Sequence, residues 1–295
     1  MLPAMPWHAG AVAVFVRVPG ARWVFRQRLQ PPPAVRRELE ARHAAGDLYP
    51  DERFGSALVA DGARARVVIG CPGAAAREGR VYVFDQEDGH SMRLTATLEP
   101  PSTAMLALLW TGAGWGQGQG VGVGVPPSGS GGHFGASLSL SMQEPGQDWA
   151  ISPSEQAGAG EAISEWSIHP GEREVQRRQR AGRVLAIGAP GALGNRGIAV
   201  IRVEAIPTKG LWSAVTESTA FVAPSAGPAA RFGTSVAVLG SVLAVGAPGW
   251  KPNSTLELYA AAAGGGHGTA VGSRNSTVGG TAGVRTGAAF VFRKP

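Results

Sequence analysis

Three stretches of the chain carry the same alternation of apolar and polar positions in the same order, which predicts a repeated strand unit. Each opens with Phe-Gly, a small residue and an alternating run: Phe54-Gly55-Ser56-Ala57-Leu58-Val59, Phe134-Gly135-Ala136-Ser137-Leu138 and Phe232-Gly233-Thr234-Ser235-Val236-Ala237-Val238. An apolar run closed by Gly-x-Pro-Gly follows: Val67-Val68-Ile69-Gly70-Cys71-Pro72-Gly73, Leu185-Ala186-Ile187-Gly188-Ala189-Pro190-Gly191 and Leu243-Ala244-Val245-Gly246-Ala247-Pro248-Gly249. The third element is a glycine before alternating apolar residues: Gly79-Arg80-Val81-Tyr82-Val83-Phe84, Gly197-Ile198-Ala199-Val200-Ile201 and Gly287-Ala288-Ala289-Phe290-Val291-Phe292. These runs are short, rich in β-branched and aromatic residues and bounded by Gly or Pro, as strands are.

Near the N-terminus, Gly10-Ala11-Val12-Ala13-Val14-Phe15 repeats the third element alone, and Trp23, Phe25 and Leu29 predict a further strand with a period of two. Weaker counterparts of that strand fall at Met92 to Leu98 and Leu211 to Thr216, so four strands are expected per repeat. Fifteen positions separate Gly55 from Gly70 and thirteen separate Gly233 from Gly246, but fifty-three separate Gly135 from Gly188. Likewise, nine positions separate Gly70 from Gly79 and Gly188 from Gly197, whereas forty-one separate Gly246 from Gly287. The excess is expected to be loop, since long surface insertions add little closure entropy. The unit therefore spans 10–295: a half repeat at 10–31, repeat one at 53–98, repeat two at 133–219 with an insertion at 143–182, and repeat three at 231–295 with an insertion at 251–286. A Gly-rich linker occupies 112–132.

Composition agrees with an all-β chain. With 44 Gly, 22 Pro and 16% charged residues, long helices are penalised and turns are favoured. The net charge of +6 invites a polyanion partner, but the arginines are scattered except at Arg173, Arg177, Arg178, Arg180 and Arg183. That cluster is the candidate polyanion contact, and its affinity would fall steeply with salt. Nucleic acid is not the expected partner. Cys71 stands alone, which excludes an intrachain disulfide and a multi-cysteine metal site and predicts a buried thiol. No apolar run is long enough for a helical membrane span, and the Val12 to Val16 stretch lacks the basic flank and cleavage site of a signal peptide.

The order Phe-Gly, Gly-Ala-Pro-Gly, Gly-Ala-Ala-Phe-Val-Phe resembles the FG-GAP repeat family, found in integrin α-subunit heads and in the C-terminal part of glycosylphosphatidylinositol-specific phospholipase D. Gly188-Ala189-Pro190-Gly191 and Gly246-Ala247-Pro248-Gly249 match in full, and Gly70-Cys71-Pro72-Gly73 departs by one residue. The resemblance implies a β-propeller of four-stranded blades, here a partial wheel of about three and a half blades with long Gly-rich loop insertions. Repeat three ends on its third-element strand, so its fourth strand is expected to be missing, and the open terminal blades are expected to recruit further blades or to self-associate. Phe54, Phe134 and Phe232 are expected to plug the space between blades, with Gly55, Gly135 and Gly233 allowing close backbone approach. In the second element, Gly70, Pro72, Gly73, Gly188, Pro190, Gly191, Gly246, Pro248 and Gly249 are expected to end a strand in a tight turn.

Candidate chemistry is sparse. FG-GAP blades of the family often carry an Asp-rich calcium loop between the first two elements, but here those loops offer only Asp61-Gly62-Ala63-Arg64 and Leu239-Gly240-Ser241, too few oxygen ligands for calcium. Asp85-Gln86-Glu87-Asp88-Gly89 has the composition of a hairpin turn. No zinc-protease, nucleophile-elbow or phosphate-loop motif occurs, and no catalytic residue, metal or cofactor is expected. Trp166 and His169 are candidate recognition residues in the second-repeat insertion, and Asn253 and Asn275 head sequons that are candidate glycosylation sites. The function expected from the resemblance is a non-catalytic scaffold of a cell-surface or extracellular protein that binds a protein or glycan. The alternatives are an accessory module of a hydrolase such as that phospholipase D, and polyanion binding through Arg173 to Arg183.

Overall fold

Strands dominate the computed structural model, which describes residues 10–18, 22–45, 52–87, 91–102, 131–142, 183–204, 218–221, 229–250, 268–271 and 287–293. They form one two-stranded and three four-stranded antiparallel sheets. An N-terminal ribbon pairs β1 (Val12–Val18) with β2 (Arg22–Leu29). The first sheet runs β3 (Ala57–Asp61), β4 (Arg66–Cys71), β5 (Arg80–Glu87), β6 (Ser91–Leu98) in spatial order. The second comprises β7 (Ser137–Met142), β8 (Arg183–Ala189), β9 (Ile198–Glu204) and β10 (Ser218–Phe221). The third is ordered β11 (Ser235–Leu239), β12 (Val242–Ala247), β14 (Ala288–Arg293), β13 (Gly268–Val271). Single turns, α2 (Ala74–Arg77) and α3 (Ala192–Asn195), whose backbone is left-handed at Ala75 and Ala76 and at Leu193 and Gly194, link the second and third strands of the first two sheets.

Sheets stack face to face, and three cores lie between them. Alternation sends Ile69, Cys71, Tyr82 and Phe84 to the ribbon side of the first sheet and Val68, Val81 and Val83 to the other. In β8, Leu185 and Ile187 face the first sheet while Val184 and Ala186 face the third, so all seven residues are buried. This explains its continuous apolar sequence. In β12, Leu243, Val245 and Ala247 are buried and the residues between them are half-exposed. The first strands of the sheets, β3, β7 and β11, lie beside one another. Serines spaced two apart on β7 fasten it to the third sheet: Ser137 Oγ donates to the Gly233 carbonyl at 2.9 Å, and Ser139 and Ser141 Oγ accept the Val238 and Gly240 N–H groups at 3.0 and 3.1 Å.

The sequence expectations need four corrections. The third sheet does have a fourth strand, because Gly268–Val271, inside the expected loop 251–286, pairs with the outer edge of β14. The fourth strand of the second sheet is Ser218–Phe221, downstream of the expected Leu211 to Thr216. The helix α1 (Pro33–Ala44) was not anticipated. It begins on Pro33, whose missing N–H is unneeded in a first turn, continues through Ala, Arg, Glu and Leu, and buries Val35 against the ribbon core. Finally, Gly131 and Gly132, assigned to the linker, are part of the repeat, since the Gly132 carbonyl accepts the Gly191 N–H at 3.2 Å.

Candidate functional site

One corner recurs in each repeat. The closing glycine of the second element donates its N–H to the residue two before the phenylalanine: Gly73 to Glu52, Gly191 to Gly132 and Gly249 to Ala230, at 3.0, 3.2 and 3.1 Å. The Phe-Gly glycine then donates to the first glycine of that element, Gly55 to Gly70, Gly135 to Gly188 and Gly233 to Gly246, at 3.0, 3.1 and 3.0 Å. Between repeats, Gly79 bridges in parallel to Phe134, and Gly197 to Phe232. A Cβ on Gly79 or Gly197 would overlap the carbonyl oxygen of that phenylalanine, and one on Gly10 would overlap that of Phe54. Phe54, Phe134 and Phe232 are each buried, one in each of the three cores.

These corners leave a pocket of about 590 Å3 at the end of the sheets where β4 and β8 finish. The residues just before the three phenylalanines, Arg53, His133 and Arg231, line it, together with Arg77 and Asn195 from the ends of α2 and α3. All five hold positive φ, at 53°, 52°, 52°, 75° and 67° respectively. Left-handed backbone costs an L-residue roughly 1–2 kcal/mol, and the surrounding hydrogen bonds hold it in place. Among them, His133 N–H donates to the Arg77 carbonyl at 2.9 Å and Arg231 N–H to the Asn195 carbonyl at 3.0 Å. Pro72, Pro190 and Thr234 complete the polar and apolar walls, and no carboxylate is among the described lining residues. The His133 imidazole is held below its ordinary pKa, first by burial and then by the Arg53, Arg77 and Arg231 charges, with the Pro72 backbone acting in the opposite sense.

The opposite end of the first two sheets is charge-balanced. Arg66 bridges Asp85 and Glu204, the latter at 2.9 Å; Arg64 reaches Glu204 at 2.6 Å, and Arg183 Nε reaches Asp61 at 2.5 Å. Arg183, a candidate polyanion contact by sequence, is therefore corrected to a buried structural residue with 0% exposure. The adjoining Arg173, Arg177, Arg178 and Arg180 lie outside the described residues, as do Trp166, His169, Asn253 and Asn275. Asp61 also caps its own turn, accepting the Ala63 N–H at 3.0 Å. Among the described residues no group of three or more His, Cys, Asp or Glu side chains is placed to hold a metal ion.

Cys71 is fully buried, with its thiol on the Glu52 carbonyl at 3.1 Å, and burial pushes its pKa up. Glu52 is buried too, and desolvation raises its pKa to about 6 despite Arg42 at 3.5 Å. It faces the ribbon core, not the pocket. Sequence reasoning named the phenylalanines and glycines of the corner but not Arg53, Arg77, His133, Asn195 or Arg231. Aligning the repeats on Phe-Gly gives Arg, His and Arg in the preceding column, the signal that would have found the site.

Compared with known proteins, the chain matches no protein-family model and no curated protein. No helix among the described residues is long and apolar enough to cross a membrane.

Proposed function

We propose that the chain is an arc of an FG-GAP β-propeller that acts as a non-catalytic binding scaffold of a cell-surface or extracellular protein. The observation that carries this reading is the pocket assembled from equivalent residues of successive repeats, because a site made of repeated loops on rigid sheets is how propellers present ligands. Support for the arc comes from the same glycine-to-phenylalanine contact made by Gly10 on Phe54, Gly79 on Phe134 and Gly197 on Phe232. The ribbon then corresponds to the last two strands of a preceding blade. Its exposed Phe15, Trp23 and Phe25, at 52%, 67% and 56%, offer a surface for further blades or for a second copy. Among the described lining residues the Thr234 hydroxyl is committed to the Arg231 carbonyl at 2.7 Å, which favours binding over turnover.

The test is a comparison of binding and catalysis on the isolated chain. Immobilised extracellular proteins and glycans are expected to retain it, with retention lost when Arg53 and Arg231 are replaced by glycine. Hydrolysis of ester or phosphodiester substrates by the purified chain would refute the non-catalytic assignment. Light scattering is expected to show self-association, and a compact monomer with a sharp melting transition would refute the open arc.

A further inference from the structure

Resting on the open-arc reading above, we propose that two copies of the chain associate head to tail, the outer face of the ribbon of one packing on the outer face of the third sheet of the other. These faces are the separated halves of the contact that joins successive sheets inside the chain. Where the second sheet meets the third, it contributes small or β-branched residues, Val184 and Ala186 from β8 and Ala199 and Ile201 from β9, all buried. Counted from the first glycine of the second element and the glycine of the third, the same four positions of the third sheet are Val242, Ala244, Ala289 and Val291. Strand pairing keeps the equivalence, since Ala186 lies opposite Ile201 and Ala244 opposite Val291. The two faces differ by one methylene, yet Ala289 is exposed and the other three are half-exposed. The third sheet thus carries a face patterned for burial that no described sheet covers.

The ribbon carries the opposite half. Phe15 stands five residues after Gly10, as Phe84 does after Gly79 and Phe292 after Gly287. Phe84 and Phe292 lie inside sheet junctions, edge-on to Phe54 and Phe232 at 6.3 and 6.2 Å. Phe15 is exposed instead, its ring at 5.8 Å from that of Phe25. The register of β1 on β2 sets Phe15 opposite Phe25 and Arg17 opposite Trp23, so the three exposed aromatics share one face. Inside the chain, large side chains of one sheet meet smaller ones of the sheet before it, as Tyr82 and Phe84 meet Val12 and Val14, and Phe290 and Phe292 meet Ala199 and Ile201. An aromatic face therefore suits the Val-Ala-Ala-Val face, while two faces of one kind would pack with gaps or clashes.

The first strands favour a ribbon over a further complete blade as the occupant. Six residues after the Phe-Gly glycine stand Asp61 on β3 and Ser141 on β7, each tied to the next sheet: Asp61 to Arg183, and Ser141 Oγ to the Gly240 N–H at 3.1 Å. The equivalent residue of β11 is Leu239, 79% exposed, and Ala237 stands where Ser139 takes the Val238 N–H. A complete blade would lay its own first strand beside β11 and give such polar links a use. The ribbon has only the third and fourth strands of a blade, so apolar Ala237 and Leu239 are left to meet apolar side chains. The contact pairs unlike faces and is heterologous, so each copy keeps one of each open until the series closes.

The experiment is a complementation test on the full chain with two variants, Phe15→Glu on the ribbon and Ala289→Glu on the third sheet. Association is followed by sedimentation velocity and by native mass spectrometry with one variant isotope-labelled. The parent is expected to associate as its concentration rises. Each variant alone should associate about a hundredfold more weakly, because a carboxylate buried in an apolar contact is left unpaired, while the dilute monomer melts as the parent does. Mixed in equal amounts, the variants should form a heterodimer and stop there, since only the intact third sheet of the first meets the intact ribbon of the second. Phe25→Glu and Leu239→Glu, also at exposed side chains, repeat the two arms if either first variant folds poorly. The proposal is overturned if the mixture gives no heterodimer or if either variant alone associates like the parent. In both cases the parent still associates and the open arc stands. A parent that stays monomeric at every concentration overturns the proposal and the open arc together, so the two failures are distinguishable.

Discussion

Arginine does opposite work at the two ends of the sheets. Where β3 ends and β4 begins, Arg64, Arg66 and Arg183 are matched by Asp61, Asp85 and Glu204. The Asp61–Arg183 pair and both arginine contacts to Glu204 cross from the first sheet to the second. Where β4 ends, Arg53, Arg77 and Arg231 line a pocket with no carboxylate among its described lining residues. The difference lies in burial. A buried charge must be neutralised from within the chain, because desolvation otherwise outweighs anything it contributes to folding. A charge at an open mouth keeps much of its hydration, so the fold does not depend on pairing it in the same way.

The largest effect should come from cutting the balanced end. Arg66→Met leaves the partly buried Asp85 with the Thr95 hydroxyl and the buried Glu204 with Arg64 alone, and should cost about 3 kcal/mol in urea unfolding. A loss below about 1 kcal/mol would mean the network is wet and the comparison false. The next test concerns Glu52, the buried carboxylate beside Arg53 in sequence. Its folded pKa of about 6 lies above the ordinary 4.5, so stability is present at low pH and is lost as pH rises through that window. Glu52→Gln should therefore recover about 2 kcal/mol at pH 8 and nothing at pH 4. Equal gains at both pH values would show that the proton is not responsible.

His133 has the reverse sign. Its folded pKa is depressed, so the unfolded chain binds the proton more readily and stability falls as pH drops below the ordinary histidine range. His133→Asn, tolerant of positive φ, should flatten that acid limb in melting curves recorded across pH. The smallest effect is expected at Arg231→Gly, where relief of left-handed strain offsets the entropy cost of glycine and the net change stays under about 1 kcal/mol. A loss as large as that of Arg66→Met would make the pocket arginine structural and erase the contrast.

How much of this was legible depends on whether a signal was local. Strands such as Val81 to Phe84 and Leu185 to Ala189 announce themselves by β-branched, continuous or alternating apolar residues. Gly268–Val271 does not, because its strand state comes from pairing with β14, not from its own sequence. The helix α1 was hidden by three adjacent prolines and by a global Gly and Pro content that outweighed a locally helical run of Ala, Arg, Glu and Leu. The pocket was hidden for another reason: Arg53, His133 and Arg231 lie far apart in sequence, and only the repeat brings them to one mouth. Arg183 misled because a charged cluster in sequence was taken as one surface, whereas its last member begins a buried strand.

The order of the third sheet bears on how the protein is made. Because β14 lies between β12 and β13 although it follows both in the chain, β13 has no strand to pair with until residues 288–293 have left the ribosome. The first sheet, whose strands pair in order of synthesis, can close as it emerges, and domains tend to fold N-terminal part first during translation. A ribosome stalled before Ala288 would therefore carry a finished first sheet beside an unpaired β12 edge, a nascent chain that needs shielding at one sheet only.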